Sequence, residues 1–223
     1  MCFTPAISLT TAIIEWVLAL SLLFAYRKSV LRPYAFFVLA LLGAYQFGEF
    51  RLCTTGQAEL WGTFAFLSYT FLPAVGLHAV IAFLRKRTSL MLLYAPPIVF
   101  SLVALSVKQF IAQGTCAQLF VTILTFFSWG IPFVLYMSYY AGFILATFVL
   151  LARAYRHERG RRKKACGAIF AALLLMFIPT VLLMVLFPAL RIQFGSVLCH
   201  FALLTAAAFY IAVYYDATHE TNR

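Results

Sequence analysis

Charge is what this sequence has least of. Of its 223 residues 10% are charged and only six are acidic, whereas soluble domains carry about one-quarter charged residues. That shortage excludes a water-soluble globular domain, whose surface would need them. Histidine is nearly as scarce, with four in the chain, and the five cysteines show no CxxC or other zinc spacing, which argues against a structural zinc module. No basic residue precedes the first apolar run, the reverse of a signal peptide's order, so the first segment is expected to be retained as a helix. The last apolar run contains no lysine for a Schiff base, which excludes a retinal protein.

What is present is grease. Hydrophobic residues make up 65% of the chain, with 24 Phe and 12 Tyr. A run of ~20 apolar residues crosses a ~30 Å hydrocarbon core as a helix, the form that satisfies every backbone group internally. Seven such runs are counted, so the expected fold is all-α: a single seven-helix transmembrane domain over residues 1–223. The net charge of +11 raises the question of nucleic acid, and placement answers it. Of the 17 Lys and Arg, 14 fall at Arg27, Lys28, Arg32, Arg85, Lys86, Arg87, in the run Arg153 to Lys164, and at Arg223; the rest are Arg51, Lys108 and Arg191. The two groups occupy alternate connections, the positive-inside pattern for an N-terminus outside and a C-terminus in the cytoplasm. The charge therefore reads as topology and contact with anionic membrane lipids, with no nucleic-acid partner.

Taken in order, the helices are expected at about Ile7–Tyr26, Pro33–Phe50, Leu60–Leu84, Leu90–Val107, Ile131–Leu151, Ala165–Leu186 and Ser196–Tyr215. Pro33 opens the second, where it sacrifices no needed donor; Pro73, Pro96, Pro97 and Pro179 should bend the third, fourth and sixth. Leu119 to Leu151 would be ~50 Å long as one helix, too much for one crossing. Gly130 and Pro132 offer a break, so Gln118 to Trp129 reads as an outer lid that lies in the interface or pairs as strands. RAYRHERGRRKK reads as the main cytoplasmic loop, DATHETNR as a tail, and no soluble output domain is expected after it. Cys53 and Cys116 both fall in outer connections, an oxidising setting, and are expected to form a disulfide; Cys2, Cys166 and Cys199 are expected to be unpaired.

The candidate ligand site lies in the outer half of the bundle. Ser8, Thr11 and Glu15 share a stripe on the first helix; Tyr45, Gln46 and Glu49 share a face near the top of the second; Trp61 begins the third and His200 the seventh. Intramembrane charge points to function, because hydrocarbon penalises it unless it is paired or wet. The pocket reading therefore takes Glu15, Tyr45, Gln46, Glu49, Trp61 and His200. The competing structural reading has Glu49 paired with Arg51 or Arg191 and Glu15 bonded to the neighbouring hydroxyls. Zinc needs a closer ligand set: no pair among Glu15, Glu49 and His200 stands at i+3 or i+4, so no metal site is assigned. His78, about 27 Å along its helix from Leu60, belongs to the opposite membrane face as a hydrogen-bonded packing residue. Tyr136, Tyr139 and Tyr140 form one face, read either as packing or as a surface for an aromatic or cationic ligand.

The order of segments and the runs YTFLPAVGLHAVIAFLRKR, YMSYYAGFILATFVLLARAYR and FIPTV resemble the seven-helix N-terminal sensor region of prokaryotic histidine kinases and cyclases. That resemblance implies a sensor in the plasma membrane of a prokaryote which passes a signal onward, here through a cytoplasmic or membrane partner because no output domain is in view. The expected function is thus a receptor-like or sensory membrane protein that binds a small molecule or lipid. A membrane-embedded, metal-dependent hydrolase or lipid-modifying enzyme built on the two carboxylates and His200, and a small transporter, stand as alternatives.

Overall fold

The computed structural model describes residues 5–116, 121–186 and 201–220. Seven α-helices and one β-hairpin account for nearly all of them: α1 Pro5–Phe24, α2 Arg32–Thr55, α3 Ala58–Phe83, α4 Leu90–Ser106, β1 Ile111–Cys116, β2 Val121–Thr125, a 3-10 turn at Phe126–Ser128, α5 Gly130–His157, α6 Gly160–Leu186 and α7 Ala202–Glu220. Among these, α1, α2, α3, α5 and α6 are long and apolar enough to cross a membrane, while α4 and α7 are apolar but shorter. Their outer faces are apolar as well: Val17 and Phe24 of α1, Met91 and Leu92 of α4, and Ile178 and Val185 of α6 are all exposed. Helices apolar on every side suit a lipid surround and would be unstable in water.

Local sequence explains the boundaries. Pro33 stands at the start of α2, and Gly56 ends that helix with φ +68°, its amide donating to the carbonyl of Leu52; a side chain at this left-handed position would crowd its own carbonyl. Pro73, Pro96, Pro97 and Pro179 all lie inside helices. Two polar segments expected as loop or tail are helical instead. Arg153–His157 completes α5 and Gly160–Lys164 begins α6, so only Glu158 and Arg159 interrupt the run. The segment from Asp216 to Glu220 extends α7. Arg162, Lys163, Lys164 and Asp216 of these segments find partners inside the protein, which favours continuation of the helices.

The helices pack in a closed arrangement: α1 on α2, α2 on α3, α3 on α4 and α5, α5 on α6, α6 on α7, and α7 back against α2 and α1. Chain direction gathers Arg27, Lys28, Arg32, the turn at 85–87 and the α5–α6 junction at one end, hereafter the basic end, and places the hairpin at the other. Asp216 of α7 holds the basic end together. Its Oδ2 accepts from Ser29 Oγ at 2.7 Å, Val30 N at 2.8 Å and Leu31 N at 3.4 Å. Because α2 has no cap from its own side chains, Asp216 supplies one from another helix, satisfying orphan amides at the positive pole of the helix dipole. Arg162 does the converse for α3. Its Nη2 donates to the carbonyl of Phe83 at 2.7 Å, its guanidinium lies 4.8 Å from the Phe83 ring centroid, and it pairs with Glu158 at 3.3 Å. Lys163 and Lys164 lie over Tyr155 and Tyr215.

The hairpin is where the chain departs from an all-helical bundle. β1 and β2 pair antiparallel, from Ile111 opposite Thr125 to Cys116 opposite Val121, with an irregularity between Ile111 and Gln113. Of the expected lid, residues 121–128 are therefore strand and 3-10 turn, paired with a partner strand that lies before the lid's expected start. Gln118 lies outside the described residues, as do Cys2, Arg191, Cys199, His200, Arg223 and the expected start of the seventh helix at Ser196. The hairpin is fastened to the bundle at three kinds of contact. Cys53, in the last turn of α2, is disulfide-bonded to Cys116, and Cys166 is a buried free thiol. Glu59, in the first turn of α3, accepts from Phe110 N at 2.9 Å and from Ile111 N at 3.0 Å. Close approach completes the seat: a Cβ at Gly114 would stand 2.8 Å from the Ala58 Cβ, and one at Gly62 3.1 Å from Ile111.

Candidate functional site

Beneath the hairpin an elongated cavity of about 340 Å³ lies between α2, α3, α5, α6 and α7. Its size is within the ~300–1,000 Å³ of small-molecule sites. Along α5 its lining runs from Phe133 to Thr147, a span of ~21 Å. The hairpin and the turn after it close one end through Ile123, Phe127 and Trp129, and α3 contributes Tyr69, Pro73 and Gly76. Gly76 matters because a Cβ there would meet no atom within 4 Å; the glycine leaves the space empty instead of admitting a neighbouring helix. No charged side chain lines the cavity among the described residues.

One wall of the cavity is an aromatic cluster. Phe66, Phe127 and Tyr136 lie with centroids 5.3 to 5.6 Å apart, and Phe100 meets Phe127 and Tyr136 edge-on. Such pairs contribute ~0.5–1.5 kcal/mol beyond area burial, so this wall is rigid. The tyrosine face of α5 is tied to α3 beside Pro73. Tyr136 Oη stands 3.0 Å from Thr70 Oγ1, and Tyr139 Oη donates to the carbonyl of Thr70 at 2.6 Å. Pro73 removes the amide that would bond the carbonyl of Tyr69, four residues earlier, a lesion that weakens the helix here. Tyr139 bonds the next carbonyl along, that of Thr70, while Tyr136 and Tyr140 also line the cavity.

The residues expected to form the site are divided by the structure. Tyr45 lines the cavity and donates to Glu49 Oε1 at 2.7 Å, and Glu49 itself is fully buried. Gln46 is buried on the same stretch of α2 but does not line the cavity. Trp61 stands apart, with the Arg51 guanidinium 4.9 Å from its ring centroid and Phe47 and Phe64 edge-on to it. Arg51 thus stacks on an indole. Glu15 lies on the buried face of α1 with no exposure, does not line the cavity, and has no hydrogen-bond partner at either carboxyl oxygen, so the expected bonds to neighbouring hydroxyls are not made. His200 lies outside the described residues. Among the described residues, no three His, Cys, Asp or Glu side chains gather as they would around a metal ion.

His78 occupies the basic half of α3, where its Nε2 is 3.3 Å from Tyr34 Oη and its Nδ1 3.0 Å from Tyr94 Oη. A neutral imidazole donates from one nitrogen and accepts at the other, so the ring bridges α2, α3 and α4. Sequence reasoning missed Glu59, Asp216 and the cavity-lining threonines Thr147 and Thr205. An acidic residue near the start or end of an apolar helix is a readable signal for a cap in trans, and Glu59 and Asp216 both carry it. The threonines carry none, since a hydroxyl in an apolar helix is as common on a packed face as on a cavity wall. Compared with known protein families, characterised proteins and solved structures, the chain has no match.

Proposed function

We propose that the chain is a seven-helix integral membrane protein, with its N-terminus and hairpin outside and its basic end in the cytoplasm, that binds a small molecule or lipid and acts as a receptor or sensor. The orientation rests on the basic residues collected at one end and on the disulfide at the other, which suits an oxidising compartment. α4 and α7, although shorter, would complete the count of spans. The ligand reading is carried by one observation: a cavity with no charged lining among the described residues, with open space beside Gly76, under a hairpin that is covalently fastened.

The same geometry suggests how occupancy would be reported. A ligand beside Pro73 and Gly76 presses on the weakened portion of α3, whose far end is held by His78 and by Arg162 at Phe83. Two packings of α3 against α5 would change those contacts at the cytoplasmic end, as in other bistable helix pairs. The resemblance to kinase sensor regions favours a partner that reads this end, and a prokaryotic plasma membrane as its location.

Gly76→Leu tests the ligand reading directly. The substitution fills cavity space and also favours the helix, since leucine is a better helix former than glycine. The wild-type protein, purified from native membrane and studied by native mass spectrometry, is expected to carry a small molecule or lipid that Gly76→Leu lacks at an unchanged melting temperature. Equal occupancy in the two proteins would remove the cavity as the binding site.

A further inference from the structure

The direction of the hydrogen bonds around the cavity limits what its ligand can be. Thr147 of α5 and Thr205 of α7 both line it and both are buried. Each spends its single proton inside the protein: Thr147 Oγ1 donates to the carbonyl of Phe143 at 2.8 Å, and Thr205 Oγ1 donates to the carbonyl of Phe201 at 3.3 Å or to Met176 Sδ at 3.4 Å. A threonine oxygen whose proton is committed keeps acceptor capacity only. The deep part of the cavity therefore offers acceptors. The hairpin end differs: Thr125 Oγ1 accepts from Phe127 N at 3.1 Å, Ser128 Oγ accepts from Thr125 N at 2.9 Å, and the two hydroxyls stand 3.4 Å apart, so one of their protons is shared between them and one is left to give.

Charge and access narrow the class further. With no cationic or anionic side chain in the lining among the described residues, an ionised ligand would lose its hydration without a counter-charge, a cost of several kcal/mol. Phe177 of α6 lines both this cavity and a shallow apolar groove on the outer faces of α5 and α6, formed with Phe148, Leu174 and Ile178. Phe177 is thus shared by the cavity and the face turned to lipid, which brings the two next to each other and suits a ligand that arrives dissolved in the membrane.

We infer that the ligand is an uncharged, membrane-partitioning molecule with an elongated apolar body and a hydroxyl or other hydrogen-bond donor at its deep end, received by the oxygen of Thr147 or of Thr205. This inference rests on the reading of the cavity as a ligand site. The chemistry is that of a long-chain or isoprenoid alcohol, and it discriminates against the corresponding acid and against the same chain capped as an ether. A site built to accept a donor rejects the analogue that lacks one, because its buried acceptors are then left unpaired.

Three photoreactive probes of one chain length separate the possibilities: a diazirine-bearing C16 alcohol, its methyl ether and the corresponding carboxylic acid, each titrated onto the full-length protein in nanodiscs, with labelled residues mapped by mass spectrometry. Saturable labelling of cavity residues by the alcohol is expected at about five- to tenfold lower concentration than by the ether, the value of roughly one net hydrogen bond. The double variant Thr147→Val/Thr205→Val should abolish that difference by weakening the alcohol alone, and Thr147→Ser/Thr205→Ser should restore it, which separates loss of the acceptors from a general packing defect. Equal affinity of alcohol and ether, or tightest binding by the acid, would overturn the inference while leaving an apolar ligand site in place. Absence of saturable labelling in the cavity by all three, or labelling untouched by Gly76→Leu, would overturn both.

Discussion

Replacing Glu59 should detach the hairpin without unfolding the bundle. Its carboxylate accepts two backbone amides, Phe110 N at 2.9 Å and Ile111 N at 3.0 Å, and both donor residues are buried. Hydrogen bonds to a charged acceptor contribute ~1.5–3 kcal/mol each. Glu59 itself is exposed while its two donors are buried, so the lower end of that range applies, and Glu59→Ala should raise the cost of keeping the hairpin seated by about 3 kcal/mol. Glu59→Gln retains one carbonyl oxygen and should lose about half of that. Hydrogen exchange reads the effect locally. Amides over 110–116 should exchange about a hundredfold faster in Glu59→Ala, since ~1.4 kcal/mol corresponds to a factor of ten, with about tenfold for Glu59→Gln. Amides in the buried half of α2 should not change. The Cys53–Cys116 bond stays intact in both variants and limits the opening to a hinged release, so reduction should add to the exchange rate of Glu59→Ala more than to that of the wild type. Unchanged exchange at 110–116 in Glu59→Ala would refute the idea that this carboxylate holds the lid. A fall in protection spread over the whole bundle would refute its being local.

Two further outcomes follow from packing. Asp216→Ala leaves the Ser29 hydroxyl and the Val30 amide without their acceptor, and the Leu31 amide with Ser29 Oγ alone, and should cost about 2–3 kcal/mol in reversible unfolding, with Asp216→Asn near half of that because an amide oxygen remains. Gly43→Ala would place a Cβ 2.6 Å from Trp16 Nε1 and 3.2 Å from the carbonyl of Ala12, displacing the indole that donates to Ala40 O at 3.3 Å. A loss of about 1–3 kcal/mol is expected, with a lowered melting temperature; equal stability would mean that α1 shifts freely on α2.

Several parts of the structure could be read from residue types alone. Apolar runs of membrane length, the proline start of α2 and the break before α5 follow from period, length and the special chemistry of Pro and Gly. The disulfide followed from two cysteines in connections on the same side. The hairpin was legible only as an ambiguity, because Val, Thr, Ile and Phe serve a strand and an interfacial segment equally well, and its partner strand IAQGTC has no strong strand composition of its own. The basic run and the tail were misjudged for one reason: charge reads as loop when its partners are far away in sequence. Arg162 meets Phe83 and Asp216 meets Ser29 across separations of 79 and 187 residues.

The candidate site shows the same division more sharply. Glu15, Glu49 and His200 drew attention because an ionisable group in hydrocarbon is conspicuous in any sequence. Of the six residues expected to bind ligand, Tyr45 alone lines the cavity among the described residues. A cavity is a place where neighbouring helices fail to meet, and no single segment encodes it: it needs Pro73 and Gly76 on α3, the aromatic wall from α5 and the hairpin overhead to be assembled at once. By itself the sequence determined that the chain belongs in a membrane and where its helices break, since solvation and backbone geometry act locally. Only the tertiary structure decided where empty space remains and which hydroxyl protons are already spent, because both depend on partners brought together from distant parts of the chain.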